Sequence, residues 1–262
     1  MAGGQLTSSA DWDEKWDRKP LPAAVDRATA GLYVQAILDV FDRYLPADPQ
    51  RSILEIGGAP GQYLVYMARH FGYSIHCLDF SRVGCQKTEE NWRLLGLPGQ
   101  VYCRDLFAPD LDLPQFDIVY SLGVIEHFAE LSGVIERHLL LLKPGGILLL
   151  GVPNLGGAYQ RFLRRVAPRL LSQHNLAAMD LASWEPFERQ FSLLPLFKGY
   201  VGGFEPGILH HCETKTPLNL FLFWTAKGLK FVMHRRLRFL RRWNGKRISG
   251  YVMGVYQKPA YS

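Results

Sequence analysis

The fold is decided by the stretch Leu54-Glu55-Ile56-Gly57-Gly58-Ala59-Pro60-Gly61-Gln62. A short apolar strand runs into this glycine-rich turn, and a helix, "GQYLVYMARHF", follows it. Glycines in such a turn let the backbone come close to a ligand. The turn does not fit a dinucleotide fingerprint, because Gly57, Ala59 and Gln62 stand where G-x-G-x-x-G needs three glycines. A Walker phosphate loop is also excluded, because no Lys-Ser or Lys-Thr follows the turn.

Strands and helices alternate outward from this turn. The sequence predicts strands at 51–58, 73–80, 100–107 and 147–154, and a further strand that begins at Phe116. The helices predicted around and between them cover 23–45, 61–71 and 81–97, and a fourth begins at 130 and is ended by Pro144-Gly145-Gly146. Runs such as "ILLLGV" are continuously apolar, as expected for strands that are covered on both faces. The pattern predicts an α/β fold, a doubly wound and mostly parallel seven-stranded sheet with helical insertions.

We expect two parts in the chain. Residues 1–22 form an N-terminal cap segment, in which Trp12 and Trp16 share one face of a helix. This segment either packs on the domain or covers a ligand as a lid. Residues 23–262 form the main domain, with a core at 50–155, an insertion at about 156–195 and a basic helical insertion at about 214–246.

Several polar or glycine positions fall at the carboxyl ends of predicted strands, where open α/β sheets bind ligands. Gly57 and Gly61 follow the first strand, Asp79 ends the second and Asp105 ends the third. The segment from Ser121 to His127 follows the fourth strand. We therefore expect these residues to meet at one edge of the sheet.

Residues 50–155 resemble the class I S-adenosylmethionine-dependent methyltransferases. The resemblance is carried, in the family's order and spacing, by "ILEIGGAPGQYL", "IHCLDFS", "YCRDLF", "FDIVYSLGVIEHF" and "LLKPGGILLLGVPN". It implies a Rossmann-like fold, methyltransferase activity and S-adenosylmethionine as the cofactor. The cofactor-binding residues that it implies are Glu55, Gly57, Gly58, Gly61, Asp79, Phe80, Asp105, Leu106, Ser121 and Leu122.

The resemblance also implies a role for most of these residues. The three glycines line the methionine and ribose part of the cofactor, and Glu55 organises the turn. Asp79 binds the ribose, while Phe80, Asp105 and Leu106 meet the adenine. Ser121 and Leu122 lie beside the sulfonium. The methyl group of Ala59, which replaces a family glycine, is expected to narrow the cofactor pocket.

Two histidines are candidates for catalysis. His127 in "VIEHF" lies just beyond the fourth strand, and its ordinary pKa of about 6.5 suits a general base. The alternative is that His127 packs against the following helix. His174, in the insertion after the fifth strand, is the second candidate. "LHHCE" at 209–213 lacks a partner pair at ligand spacing, so no metal site is predicted.

The motifs that are absent restrict the methyl acceptor. The Asn/Asp-Pro-Pro-aromatic motif of exocyclic-amine methyltransferases is replaced by "SLGV", and a Pro-Cys nucleophile is missing. A nucleic-acid acceptor is therefore disfavoured. We expect O-methylation of a small-molecule, glycan or lipid-linked acceptor. The alternatives are N- or C-methylation of a small metabolite, or a non-catalytic module that keeps the cofactor fold.

Charge is divided unevenly along the chain. The net charge of +6 comes from the C-terminal part, because 11 Lys and Arg follow Glu213 and no acidic residue does. From Leu229 to Trp243 a helical wheel separates apolar residues from Lys230, His234, Arg235, Arg238, Arg241 and Arg242. Such a helix suits an anionic membrane surface, or it covers the sheet with a solvated basic face. We expect a cytoplasmic protein, with peripheral binding to the inner membrane surface as the alternative.

Overall fold

In the described residues, a seven-stranded sheet forms the centre of the protein. The computed structural model describes residues 4–205, 216–236 and 243–260, without the side chains of 158, 226, 230 and 232–236. The strands are β1 (Ser52–Ile56), β2 (Ser74–Asp79), β3 (Gly99–Cys103), β4 (Phe116–Leu122), β5 (Leu142–Pro153), β6 (Leu194–Phe204) and β7 (Ser249–Gln257). Across the sheet they lie in the order β3-β2-β1-β4-β5-β7-β6, and only β7 runs antiparallel to its neighbours. The predicted fold class is confirmed.

Helices connect these strands and cover both faces of the sheet. In the described residues they are α1 (Ser9–Asp17), α2 (Leu32–Tyr44), α3 (Gln62–Phe71), α4 (Arg82–Leu95), α5 (Leu131–Leu140), α6 (Gly157–Val166), α7 (Pro168–Ser172), α8 (Glu185–Gln190) and α9 (Pro217–Arg236). Short 3-10 helices occupy Ile125–His127, Leu176–Met179 and Leu181–Trp184. The insertion after β5 is thus helical, as expected.

Two hydrophobic cores lie on opposite faces of the sheet. On one face α2, α3 and α4 pack through side chains such as Phe41, Leu64 and Trp92. On the other face α5, α6 and α8 pack through side chains such as Leu163 and Phe187. Burial of both strand faces explains the continuous apolar runs in the sequence, and it fixes the strand ends that build the site.

Two predicted helices are shorter than the sequence indicated. The helix predicted from residue 23 begins at Leu32, because the Asn91 amide group bonds to both the N–H and the C=O of Ala23 and holds that segment outside the helix. The helix predicted to run up to Pro144 ends at Leu140, because Leu142 already pairs with Phe116 of β4. In both cases a contact distant in sequence outweighs the local helical pattern.

Helix α9 begins at Pro217, and the Thr216 hydroxyl group before it accepts a hydrogen bond from the N–H of Asn219 at 3.2 Å. Several large apolar side chains on it are exposed rather than packed on the sheet: Leu218, Leu220, Phe221, Trp224, Leu229 and Phe231. No helix among the described residues is long and apolar enough to cross a membrane. None of the six side chains of the predicted basic face is described, and the "LHHCE" segment lies outside the described residues.

Candidate active site

A cavity of about 600 Å³ opens where β1, β2 and β4 end. Its volume lies in the range of sites for cofactors and small molecules. One end is lined by the turn after β1 and by the ends of β2 and β3, while the other is lined by α1 and the insertion after β5. The position is the switch point at which the sheet order turns from β1 to β4.

Gly57 forms the floor of the cavity through a backbone that only glycine adopts easily. Its φ is +68°, and a Cβ atom there would lie 2.6 Å from Cγ2 of Val124. The Gly57 N–H donates to the carbonyl oxygen of Leu78 at 2.7 Å, which ties the turn to the end of β2. A side chain at this position would both strain the turn and fill the cavity.

The rest of the turn is built around a buried carboxyl group. Glu55 lies beneath the turn, and a Cβ atom on Gly58 would lie 2.7 Å from its side chain. Burial raises the pKa of Glu55 to about 8. The methyl group of Ala59 faces Gly84 of α4 and does not line the cavity, so the expected narrowing of the pocket by Ala59 is wrong.

Asp79 is the best-organised polar group of the cavity wall. Its side chain is buried, and its two carboxylate oxygens accept hydrogen bonds from the N–H groups of Ala59 (3.2 Å) and Ser81 (2.9 Å). Burial raises the pKa of Asp79 to about 6, so the group is mainly ionised at pH 7. An ionised carboxylate has about four acceptor positions, which leaves capacity for two hydroxyl groups of a ligand.

Four other predicted cofactor residues also line this end of the cavity: Phe80, Asp105, Leu106 and Leu122. The Asp105 carboxylate accepts from the N–H of Phe107 at 2.9 Å, which fixes the loop after β3. Leu106 is buried and presents an apolar surface. Acidic, aromatic and aliphatic groups therefore surround one pocket, as binding of a nucleoside would need.

Four predicted cofactor residues do not line the cavity: Glu55, Gly58, Gly61 and Ser121. Glu55 and Gly58 form the buried part of the turn, so the expected contact of Gly58 with the cofactor is corrected, as are those of Ser121 and Gly61. The side chain of Ser121 is fully buried, and its hydroxyl group bonds to Nε2 of His138 at 3.0 Å in the core. Gly61 begins α3 with φ +76°, and a Cβ atom there would lie 2.5 Å from Nε1 of Trp92. Both residues support the turn and strand from behind the cavity.

At the other end of the cavity, His127 and His174 meet with ring centroids 4.5 Å apart. Nδ1–H of His127 donates to the carbonyl oxygen of Gln173 at 3.0 Å, so the lone pair of the neutral ring is on Nε2. Burial, together with the neighbouring His174, lowers the pKa of His127 to about 4. The two predicted catalytic histidines are thus brought together. His127 is neutral at pH 7, but with a pKa of about 4 it is a weaker base than its ordinary pKa of about 6.5 indicated.

Helix α1 forms part of the cavity wall. Trp12 and Trp16 stack with centroids 5.7 Å apart, and both line the cavity together with Lys15. Trp12 also meets the ring of His127 edge-on at 5.2 Å. On the opposite side of α1, the Asp13 carboxylate accepts hydrogen bonds from the Ser81 hydroxyl group at 2.5 Å and from the Val83 N–H at 3.3 Å. Helix α1 therefore both lines the cavity and packs on the start of α4, and its action as a lid stays a prediction.

Some lining residues were missed from the sequence, among them Tyr33, Glu126, Glu205 and Tyr251. Glu126 had a local signal, because it directly precedes His127 in "VIEHF". The others come from α2 and from the ends of β6 and β7, and only tertiary structure brings them to the cavity. No spacing along the chain indicates them.

A family model for methyltransferase domains matches residues 29–195. The chain therefore belongs to the family of methyltransferase domains, and the predicted resemblance is confirmed. The match includes the glycine turn, the strand ends and both histidines.

Individual relatives agree in fold and differ in what they methylate. A glycine/sarcosine/dimethylglycine N-methyltransferase of Actinopolyspora halophila is 33% identical over 107 residues, which are 40% of this chain and 19% of that protein. The chain thus spans about a fifth of this curated relative. A geranyl diphosphate C-methyltransferase of Streptomyces coelicolor, solved with Mg²⁺, geranyl diphosphate and S-adenosylhomocysteine, has a TM-score of 0.61 at 12% identity, over 95% of this chain and 98% of that chain.

A phosphoethanolamine N-methyltransferase of Haemonchus contortus, solved with S-adenosylmethionine, has a TM-score of 0.57 at 17% identity. The similarity covers 85% of this chain and 52% of that chain. At these identities the two structures support the fold.

Proposed function

We propose that the protein transfers the methyl group of S-adenosylmethionine to a hydroxyl oxygen of a small-molecule, glycan or lipid-linked acceptor. The observation that carries the proposal is one continuous cavity that joins the Asp79 carboxylate to the imidazole rings of His127 and His174. Membership of the methyltransferase domain family, and relatives of the same fold that hold S-adenosylmethionine or S-adenosylhomocysteine, support the activity and the cofactor.

The residues at the strand ends fit this cofactor. The Asp79 carboxylate, already fixed by two backbone N–H groups, has acceptor capacity for both ribose hydroxyls. The bare backbone of Gly57 leaves room that a side chain would fill. Phe80, Asp105 and Leu106 would hold the adenine. When bound, S-adenosylmethionine supplies a methyl carbon activated by a positively charged sulfur.

The histidine end of the cavity fits an acceptor that must lose a proton. A neutral hydroxyl group is a weak nucleophile, and a base in hydrogen-bond reach can remove its proton as the oxygen–carbon bond forms. His127 lines the part of the cavity that the predicted cofactor residues leave open, and the lone pair of its neutral ring is on Nε2. His127 would accept the proton, and α1, which lines the cavity, would limit access of water.

N-methylation of an amine is the second candidate. Glu126 and Glu205 line the cavity. Burial raises the pKa of Glu126 to about 8, and a cationic amine beside it would stabilise the ionised carboxylate. The relative from Actinopolyspora halophila is named for N-methylation of small amines. The chain spans only a fifth of that relative, so we rank an amine acceptor second to a hydroxyl acceptor.

Cofactor binding can be tested with two matched glycine variants and calorimetry of S-adenosylhomocysteine. Gly57→Ala and Gly96→Ala both place a side chain at positive φ, but only the Cβ at position 57 meets a cavity residue. We expect Gly57→Ala to weaken binding more than about tenfold, or about 1.4 kcal/mol. Gly96→Ala should bind like the wild type, and equal affinity of both variants would contradict the assigned cofactor site.

The acceptor atom can be tested by transfer of a labelled methyl group from S-adenosylmethionine to sugars, phenols, sarcosine and phosphoethanolamine. We expect O-methylated products, identified by mass spectrometry, and loss of turnover in His127→Ala. Transfer to nitrogen would establish the second candidate. Cofactor binding without turnover on any acceptor class would favour a non-catalytic module.

A further inference from the structure

Three metal-ligating side chains meet at the acceptor end of the cavity. A carboxylate oxygen of Glu126 and one ring nitrogen each of His127 and His174 lie within 4.8 Å of one another. The loops that carry them are joined directly, because the Asn175 N–H donates to the carbonyl oxygen of Glu126 at 2.6 Å. The Asn175 amide group also donates to the carbonyl oxygen of Phe128 at 3.0 Å. The cluster is therefore held by the fold.

Both imidazole rings are oriented by hydrogen bonds of their Nδ1 atoms. Nδ1–H of His127 donates to Gln173 at 3.0 Å, and Nδ1–H of His174 donates to the carbonyl oxygen of Leu170 at 2.6 Å. A ring that donates through Nδ1 has its lone pair on Nε2. Metal-binding histidines are typically fixed in this way, with one nitrogen on a backbone carbonyl and the other on the metal.

The carboxyl group of Glu126 needs a partner. Its side chain is 1% exposed, and Oε2 has no hydrogen-bond partner among the described residues. Lys15 lines the same cavity, but no ion pair joins it to Glu126 in the described part of the chain. A buried carboxyl oxygen without a partner is costly unless a cation or a donor meets it.

We propose that Glu126, His127 and His174 bind one divalent transition-metal ion of the zinc type. Two imidazoles and one carboxylate are a common ligand set for Zn²⁺ in sites that keep a position open for water or substrate. Ligand atoms about 2.1 Å from such an ion lie about 3.4 Å apart, so side-chain movements of about 1 Å would close the cluster. The site faces the cavity, so an exogenous oxygen can take the open position.

The metal gives the site a chemical role, which rests on the proposed O-methylation. An acceptor hydroxyl on the ion becomes more acidic, and its proton leaves to water. The oxygen electron pair forms the bond to the methyl carbon, while the carbon–sulfur bond breaks and its electrons stay on sulfur. His127 then acts as a ligand and not as the base, because both roles use the same lone pair.

Metal binding can be measured without turnover, on protein freed of metal with a chelator. Titration with Co²⁺ should give visible absorption from one bound ion per chain, and Zn²⁺ should displace it. We expect Glu126→Gln, His127→Gln and His174→Gln each to weaken Co²⁺ binding more than about a hundredfold. Loss of a residue that only hydrogen-bonds to a metal ligand typically costs about ten- to hundredfold. His70→Gln, which alters a half-exposed histidine elsewhere, should bind like the wild type.

A second control tests whether the ion binds to Glu126, His127 and His174 or to the "LHHCE" segment. The variant His210→Ala/His211→Ala/Cys212→Ser should keep the Co²⁺ spectrum, and loss of the spectrum in this variant alone would overturn the proposal. Absence of one-to-one binding in the wild type would also overturn it. Circular dichroism shows which cluster variants fold, and His174→Gln, at a half-buried position, keeps the test valid if the buried variants unfold.

Calorimetry with S-adenosylhomocysteine on the same samples separates the two proposals. Metal binding without cofactor binding would leave the metal site standing and reject the proposed function. Cofactor binding without metal binding would leave the proposed function standing and reject the metal site. If both bind, turnover that is lost with chelator and restored by Zn²⁺ supports the ligand role of His127, whereas turnover unchanged by chelator contradicts it.

Discussion

Asp79 combines burial with a fixed hydrogen-bond geometry, and this makes it sensitive to pH. Burial raises its pKa to about 6, although the N–H groups of Ala59 and Ser81 favour the ionised form. Ribose hydroxyls need the ionised carboxylate as an acceptor. Protonation of Asp79 should therefore compete directly with cofactor binding.

We expect the affinity for S-adenosylhomocysteine to stay constant between pH 7 and 8 and to fall below about pH 6. If the ligand binds only the ionised form, the loss approaches tenfold per pH unit. Calorimetry across this range measures the profile. Asp79→Asn, which cannot titrate, should bind more weakly at pH 7 with a flatter profile, and an equally steep fall in both proteins would show that another group titrates.

At the residue scale, positions set by strand ends were predictable, and the directions of side chains were not. Gly57, Asp79 and Asp105 end or follow strands whose apolar runs are evident in the sequence, and all three line the cavity. Ser121 also lies in its expected strand, but its hydroxyl group points to His138 in the core. Successive side chains alternate between the faces of a strand, and the run "FDIVYSL" has no polar alternation that would show its facing.

At the element scale, α1 shows what a local pattern leaves undetermined. The spacing of Trp12 and Trp16 predicted one shared face, and the structure places that face on the cavity. Its location depends on Asp13, which bonds to Ser81 and Val83 at the start of α4. His174 is similar, because its place beside His127 depends on contacts between distant loops. Helical periodicity carries no information about either docking partner.

The docking of α1 predicts a change in the rate of cofactor release. Asp13→Ala removes two hydrogen bonds to α4 without altering a side chain that lines the cavity. We expect S-adenosylhomocysteine to dissociate several-fold faster, as expected for the loss of about 1 kcal/mol of docking energy. Stopped-flow tryptophan fluorescence at pH 8, where Asp79 is ionised in both proteins, measures the rate.

Glu14→Ala is the matched control for this prediction. Glu14 is the next residue on α1, and its ion pair with Arg18 is exposed and contributes little. Its dissociation rate should equal that of the wild type. Equal rates in all three proteins would mean that α1 does not limit release of the cofactor.

At the scale of the whole molecule, charge and apolar exposure coincide in the C-terminal part. Residues after Glu213 hold 11 Lys and Arg and no acidic residue. Helix α9 in the same part exposes Phe221, Trp224 and Phe231, each with more than 60% of the residue's accessible area exposed. Exposed aromatic residues next to basic residues favour binding of this helix to an anionic membrane surface over the alternative that it covers the sheet. Peripheral membrane association of a cytoplasmic protein is therefore our proposal for its location.

This proposal predicts sedimentation with liposomes that contain phosphatidylserine and weaker sedimentation with neutral liposomes. Phe221→Ser/Trp224→Ser/Phe231→Ser should reduce binding to both, because apolar burial is lost. Charge reversal of Arg235, Arg238, Arg241 and Arg242 should reduce binding to the anionic liposomes alone. The control Leu94→Ser/Leu140→Ser/Leu194→Ser removes three apolar side chains that are exposed elsewhere to a similar degree. If this control lowers liposome binding as much as the α9 variant, general hydrophobicity and not α9 accounts for the binding. If the wild type stays in the supernatant, the membrane proposal is wrong.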